Sequence, residues 1–103
     1  MRKSMRLTLT VLALASVAAV ASAHTASPSV NRRQHRQMHR IHQGVRSGEL
    51  TCGEAHRLRL QERAIRKEER MMKRDGVLTP RERIELQRDL NRSSRRIYRF
   101  KHD

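Results

Sequence analysis

The chain of 103 residues carries 24 Lys and Arg against ten Asp and Glu, a formal net charge of +14. With one Tyr, one Phe and no Trp, it has apolar material for at most one small domain. The shortage of aromatic rings argues against a stacking surface for nucleic acid. Because the sequence also lacks the motifs of nucleophilic, phosphate-loop or H-E-x-x-H chemistry, we predict that the protein is not an enzyme.

Residues 1–23 have the pattern of a secretory signal peptide. Arg2, Lys3 and Arg6 form a positive start, and an uncharged apolar run follows from Leu7 to Val20. Ala21-Ser22-Ala23 is then a small-residue cleavage site. The apolar run is shorter than the ~20 residues that a membrane span needs. We therefore expect cleavage near Ala23 and export to the periplasm or the medium.

Residues 24–29 are predicted to be a flexible lead into a single helical domain over 30–103. Apolar residues recur at helical spacing in three segments, which predicts helices over about Val30–Val45, Cys52–Lys73 and Pro80–Arg99. The apolar stripe of the first helix would consist of Val30, Met38, Ile41 and Val45. Short connections favour antiparallel neighbours. The expected fold is all-α, either a three-helix antiparallel bundle or a helical hairpin with a third helix.

An internal repeat marks the two predicted turns, since the segment 46–54 aligns with the segment 74–82. In each copy a glycine suits the left-handed position that ends a helix. A threonine followed three residues later by a glutamate is the capping box that begins the next helix. The predicted structural caps are Gly48, Thr51, Glu54, Gly76, Thr79 and Glu82.

The same two segments resemble the second half of an EF-hand calcium loop. The residues that match its fifth, sixth, eighth and twelfth positions are Asp75, Gly76, Leu78 and Glu82 in the second copy. The first and third positions would be Met71 and Lys73 there, and Gln43 and Val45 in the first copy, where an EF-hand needs oxygen ligands. We therefore expect EF-hand-like turns that lack calcium ligands.

The segments 50–54 and 78–82 also resemble the paired L-T-x-x-Q motifs of small periplasmic helical proteins of the Spy and CpxP type, with Glu in place of Gln. The ending over 94–103 is similar to that of a group of small exported proteobacterial proteins without a known activity. These resemblances imply a helical periplasmic protein with a binding or chaperone-like role in envelope maintenance or stress.

Histidines suggest a metal-binding or metal-sensing protein as an alternative. His35, His39 and His42 lie along one side of the first predicted helix. Cleavage after Ala23 would make His24 the N-terminal residue, whose amine and ring can chelate copper. The neighbouring arginines would repel a cation, and solvated polar residues explain the same pattern. Copper or zinc is thus an alternative to the leading expectation of no cofactor, and calcium is not expected.

Arginines concentrate in the first helix and at the end of the third. The predicted surface for partners comprises Arg32, Arg33, Arg36, Arg40, Arg92, Arg95, Arg96 and Arg99. Such a charge density attracts polyanions, which outside the cytoplasm are anionic envelope components or acidic client proteins. A solvated face on a structural envelope protein without a ligand is the alternative. Cys52, the single cysteine, cannot form an internal disulfide but can join two copies, so a homodimer stays open.

Overall fold

A computed structural model describes residues 25–103, and the predicted signal peptide and His24 lie outside this range. Residues 25–103 form three α-helices, α1 (Pro28–Ser47), α2 (Cys52–Met72) and α3 (Pro80–His102). Each helix packs against the other two, which confirms the all-α fold and favours the bundle over the hairpin with a third helix. Over the described residues, no helix combines the length and the apolar character that a membrane crossing requires.

Hydrogen bonds between α1 and α3 define the direction of the helices. Gln37 Nε2 donates to the backbone oxygen of Leu90 at 2.8 Å. One turn further along both helices, Arg40 Nη1 donates to Ser94 Oγ at 2.7 Å. Because the paired positions advance in the same order, α1 and α3 run parallel, and α2 returns antiparallel to both. The parallel pair brings the two arginine-rich segments side by side.

The turn between α1 and α2 is formed by Gly48, which follows α1, and by Leu50, which packs back against α1. Gly48 has a φ of 79° and its counterpart Gly76 a φ of 83°, in the left-handed region that favours glycine. Leu50 N donates to the backbone oxygen of Gly44 at 3.0 Å. A Cβ atom at Gly44 would lie 2.5 Å from Leu50 Cδ1, so any larger residue here would have to displace the buried Leu50 side chain.

Both new helices begin with a capping box. Thr51 Oγ1 accepts from the backbone nitrogen of Glu54 at 3.1 Å, and Thr51 N donates to Glu54 Oε1 at 2.9 Å. Thr79 and Glu82 form the same two bonds at the same distances. Each box satisfies donors that a helix N-terminus leaves without partners. The repeat therefore encodes two equivalent helix starts.

The core consists of two apolar clusters. One contains Val30, Ile65, Leu78, Leu86 and Leu90. The other contains Ile41, Leu50, Ala55, Leu58 and Ile97. Between them along the helices lies a polar layer, formed by Gln34, Gln37, Glu62 and Ser93, all of them buried. Apolar packing therefore holds the bundle at two levels, and hydrogen bonds connect the helices between them.

The α1 stripe differs from the prediction. Met38 and Val45 are only partly buried, packed against the second cluster. The buried positions between Val30 and Ile41 are taken by Gln34 and Gln37 instead. Periodicity places these glutamines on the inner face, but only the polar groups of the facing helices explain why amides are used there.

The start of α1 lies inside the segment that was predicted to be a lead. The helix begins at Pro28, before the predicted start near Val30. Ser27 is buried, donates from Oγ to Glu69 Oε2 at 2.6 Å, and accepts from Lys73 Nζ at 2.7 Å. The lead predicted over 24–29 thus includes a serine that connects the start of α1 to the end of α2.

Candidate functional site

A groove of about 640 Å³ lies between Arg40 of α1 and the second half of α3. We call it the arginine groove, and its lining residues are Arg40, Arg92, Ser94, Arg95, Tyr98 and Arg99. Its volume falls in the range of roughly 300–1,000 Å³ that is usual for small-molecule sites. The groove exists because the parallel arrangement of α1 and α3 places Arg40 against Ser94.

Arg40 is held in a fixed position. Its Nη1 donates to Ser94 Oγ at 2.7 Å and its Nη2 donates to the backbone oxygen of Ser94 at 3.2 Å. The side chain is half-buried, so both its stem and its guanidinium are restrained. A guanidinium has five N–H donors, and those not used on Ser94 stay available to a ligand.

The other arginines of the groove differ in whether they form an ion pair with a carboxylate. Arg92 Nη2 lies 3.4 Å from Asp89 Oδ1. Among residues 25–103, neither Arg95 nor Arg99 forms an ion pair. The reason lies in the local sequence, because α1 contains no Asp or Glu and α3 contains none from Asn91 to His102. The groove is therefore strongly electropositive.

Crowding of positive charge extends along α1. Arg33 Nη1 donates to Gln87 Oε1 at 2.7 Å, which packs this side chain against α3. Burial, and then repulsion from Arg36, lowers the pKa of Arg33. Like charges this close destabilise the free protein, and a bound anion would relieve their repulsion.

Tyr98 brings an aromatic ring to the groove. Its side chain is 58 % exposed. The ring stacks on His102, with centroids 3.9 Å apart and an interplanar angle of 24°. His102 Nδ1 also lies 2.7 Å from the backbone oxygen of Tyr98. Tyr98 is not among the site residues predicted from the sequence, although a single tyrosine inside an arginine-rich segment was a signal that could have identified it.

The structure separates the eight arginines that the sequence grouped as one surface. Those that line the groove are Arg40, Arg92, Arg95 and Arg99. Arg96 turns towards α2, where it donates to Gln61 Oε1 at 3.4 Å, and its guanidinium lies 5.3 Å from the centroid of the Phe100 ring on its own helix. Arg33 packs on Gln87, while Arg32 and Arg36 are exposed on α1 outside the groove lining.

The histidines give no comparable site. His35, His39 and His42 are exposed along α1. Within residues 25–103, no three His, Cys, Asp or Glu side chains are placed to hold a metal ion. His24 lies outside the described residues. The copper or zinc alternative thus stays a prediction that rests on sequence spacing.

Carboxylates cluster on the opposite side of α3. A hydrogen bond with Asp89, followed by burial and by the charges of Asp89 and Glu85, raises the pKa of Glu68 to about 7. In the polar layer, Ser93 Oγ donates to Glu62 Oε1 at 2.7 Å. Burial raises the pKa of Glu62, although the Ser93 bond and nearby arginines oppose this.

Comparisons with known proteins give no information about this site. No family model, curated protein or solved structure gives a significant match to the chain. The resemblances to Spy- and CpxP-type proteins, to small exported proteobacterial proteins and to EF-hand half-loops therefore stay predictions. The arginine groove is the feature of the described residues on which a function can be argued.

Proposed function

We propose that this protein is a non-enzymatic binding protein of the cell envelope, which holds anionic envelope components in the arginine groove. The observation that carries the proposal is the juxtaposition of Arg40 with Arg95 and Arg99, with no carboxylate partner for the latter two among residues 25–103. The envelope location rests on the predicted signal peptide.

Electrostatics support binding over a purely structural role. A solvated basic face needs no groove, and surface charges that only maintain solubility are usually mixed in sign. Here one side of the bundle is cationic while the carboxylates that could neutralise it lie elsewhere. Such a field attracts anions from a distance and raises their local concentration. The groove then supplies directional donors from a restrained guanidinium.

A chaperone-like action on acidic, partly unfolded client proteins is a second candidate. It is favoured by large apolar side chains that stay exposed on the bundle, namely Leu60, Met71, Val77, Ile84 and Tyr98. An acidic client would meet the same groove and place apolar segments on these side chains. An aggregation assay at low and high salt tests this version, and a well-folded sample that suppresses no aggregation at either salt would exclude it.

Charge reversal at matched net charge tests the groove. The full chain is expressed in a bacterial host and purified from the fraction in which it accumulates, and mass spectrometry of its N-terminus checks the predicted cleavage. Binding to vesicles of phosphatidylglycerol and phosphatidylcholine is then measured by co-sedimentation. We expect Arg95→Glu with Arg99→Glu to weaken binding by more than about 30-fold, since each basic residue near an anionic surface contributes ~1 kcal/mol.

The control carries the same change of net charge on α2. Arg63 and Arg70 are both exposed on that helix and do not line the groove. Arg63→Glu with Arg70→Glu should therefore weaken binding much less. Equal losses in the two double variants would show that only net charge matters, and the groove would have no role. Binding to phosphatidylcholine alone, independent of salt, would also contradict the proposal.

A further inference from the structure

The arginine groove offers a preformed fork of donors. Two N–H groups of Arg40 are used on Ser94, which fixes the plane of the guanidinium. The remaining N–H groups keep the geometry that matches two oxygens of a phosphate or a carboxylate. Because the side chain is already restrained, little conformational entropy is lost when a ligand binds.

The neighbouring charges favour a dianion over a monoanion. Arg95 and Arg99 lie one helical turn apart on α3, and both line the groove together with Arg40. A carboxylate brings one negative charge, whereas a phosphate monoester carries about −1.5 to −2 at pH 7 and has three acceptor oxygens. A phosphate monoester therefore satisfies more of the donors and relieves more of the repulsion between the arginines.

The aromatic wall adds a requirement that a bare phosphate ion does not meet. Tyr98 presents a ring that stays 58 % exposed, although it lines the groove. Stacking on His102 holds the plane of this ring. A tyrosine offers an apolar face and a hydroxyl, so it complements a ligand with C–H faces and hydroxyl groups. A sugar ring next to the phosphate has both.

We propose that the arginine groove binds a phosphorylated sugar, with the phosphate on Arg40, Arg95 and Arg99 and the sugar ring against Tyr98. This inference rests on the proposed function, because it names the ligand class of the same groove. A free sugar phosphate and a sugar phosphate displayed on an envelope glycolipid share this chemistry.

Tyrosine fluorescence of the purified protein gives a direct test. Tyr98 is the only tyrosine and the chain has no tryptophan, so the emission reports on the groove. The probes are glucose 6-phosphate, inorganic phosphate and glucose. We expect glucose 6-phosphate to bind about tenfold more tightly than inorganic phosphate, the contribution of one aromatic contact, and glucose alone to leave the emission unchanged.

Three variants assign the parts of the site by calorimetry with glucose 6-phosphate. Arg95→Gln should lose about tenfold in affinity, the value of one charged hydrogen bond, while the exposed Arg63→Gln on α2 should leave it unchanged. Ser94→Ala keeps every charge and the bond from Arg40 Nη2 to the backbone oxygen but removes the hydroxyl that binds Nη1, so a loss of affinity there reports the restraint that this hydroxyl places on the guanidinium. Helical circular dichroism confirms that each variant is folded.

Each result of the test has a definite meaning. Equal affinities for inorganic phosphate and glucose 6-phosphate would overturn the sugar-phosphate inference. Failure of glucose 6-phosphate to bind, with groove-dependent binding of phosphatidylglycerol vesicles retained, would overturn it and leave the proposed function in place. Loss of both would overturn both. Vesicles that carry a phosphorylated glycolipid distinguish the sources, since tighter binding to them than to the free sugar phosphate indicates a membrane-displayed ligand.

Discussion

The arginines on the two sides of α3 differ in whether a carboxylate lies close to them. Towards α1, the helix presents the arginine groove, where Arg95 and Arg99 have no carboxylate partner among the described residues. Towards α2, it presents Asp89, which interacts with Glu68. Arg92 lines both the arginine groove and a smaller pocket of about 230 Å³ that Glu68 and Asp89 also line, and it pairs with Asp89.

The difference shows where charge serves the fold and where it is available for a ligand. On the α2 side, Arg96 contacts Gln61 and Phe100, so its side chain contributes to packing. On the α1 side, Arg40 is restrained but keeps free donors, and its neighbours on α3 repel it. Four substitutions test this difference between the two sides of α3.

Ile41 tests how much the packing of α1 contributes to the stability of the bundle. Ile41 is fully buried in the second apolar cluster. Ile41→Ala should lower the free energy of unfolding by about 2–5 kcal/mol, because it removes buried methyl groups and leaves a cavity. Urea unfolding followed by circular dichroism measures this. Leu60→Ala is the control, since Leu60 is 49 % exposed and its loss should change stability by less than about 0.5 kcal/mol. A similar small effect for Ile41→Ala would contradict the packing of α1.

Glu62 is the carboxyl group of the buried polar layer. Its pKa is raised above the ordinary 4.5, so its contribution to stability is complete below pH 4.5 and is lost as the pH rises through the higher folded-state pKa. One of its oxygens, Oε2, is buried and has no hydrogen-bond partner among the described residues. Glu62→Gln removes the ionisable group and keeps an acceptor for Ser93 Oγ, so it should raise stability at neutral pH and flatten the decline. Urea midpoints at several pH values would contradict this if the variant kept the full pH dependence.

Glu68 tests the acidic side. Its pKa of about 7 means that the contribution of its proton to stability is present at low pH and is lost as the pH rises through 7. Glu68→Gln keeps a donor for Asp89 at every pH. Because the group is partly exposed, solvent screening limits the expected gain above pH 7 to about 1 kcal/mol. Thermal melts at pH 6 and pH 8 measure it, and an equal change at both pH values would show that the carboxyl does not titrate in this range.

Asp89 tests whether one carboxylate can reduce the affinity of the groove for anions. Asp89→Asn frees Arg92 from its partner and should tighten binding to phosphatidylglycerol vesicles about two- to fivefold, the range of a surface ion pair. Glu85→Gln makes the same change of net charge but frees Arg81, which lies outside the groove. If both variants bind equally tightly, the local pairing of Arg92 has no effect.

Much of the architecture was predictable because it depends on local rules. The two glycine and threonine turns follow from backbone geometry and from capping, which act over a few residues. Helix periodicity placed Val30 and Ile41 in the apolar stripe of the first helix, and both are buried. The candidate site was predictable only in part. The density of arginines in the sequence predicted a basic surface, but it did not distinguish Arg95, which lines the groove, from Arg96, which does not.

The three helices, their caps and the strong positive charge depend on residue type and short-range spacing, so the amino-acid sequence alone was enough to predict them. Tertiary packing places α3 directly against α1, fixes Arg40 on Ser94 and brings Tyr98 into the lining of the groove. Local rules could not predict these contacts, because they join residues far apart in the chain. Their geometry depends on how two helices pack, and the packing is set jointly by the apolar clusters and the polar layer rather than by any one segment.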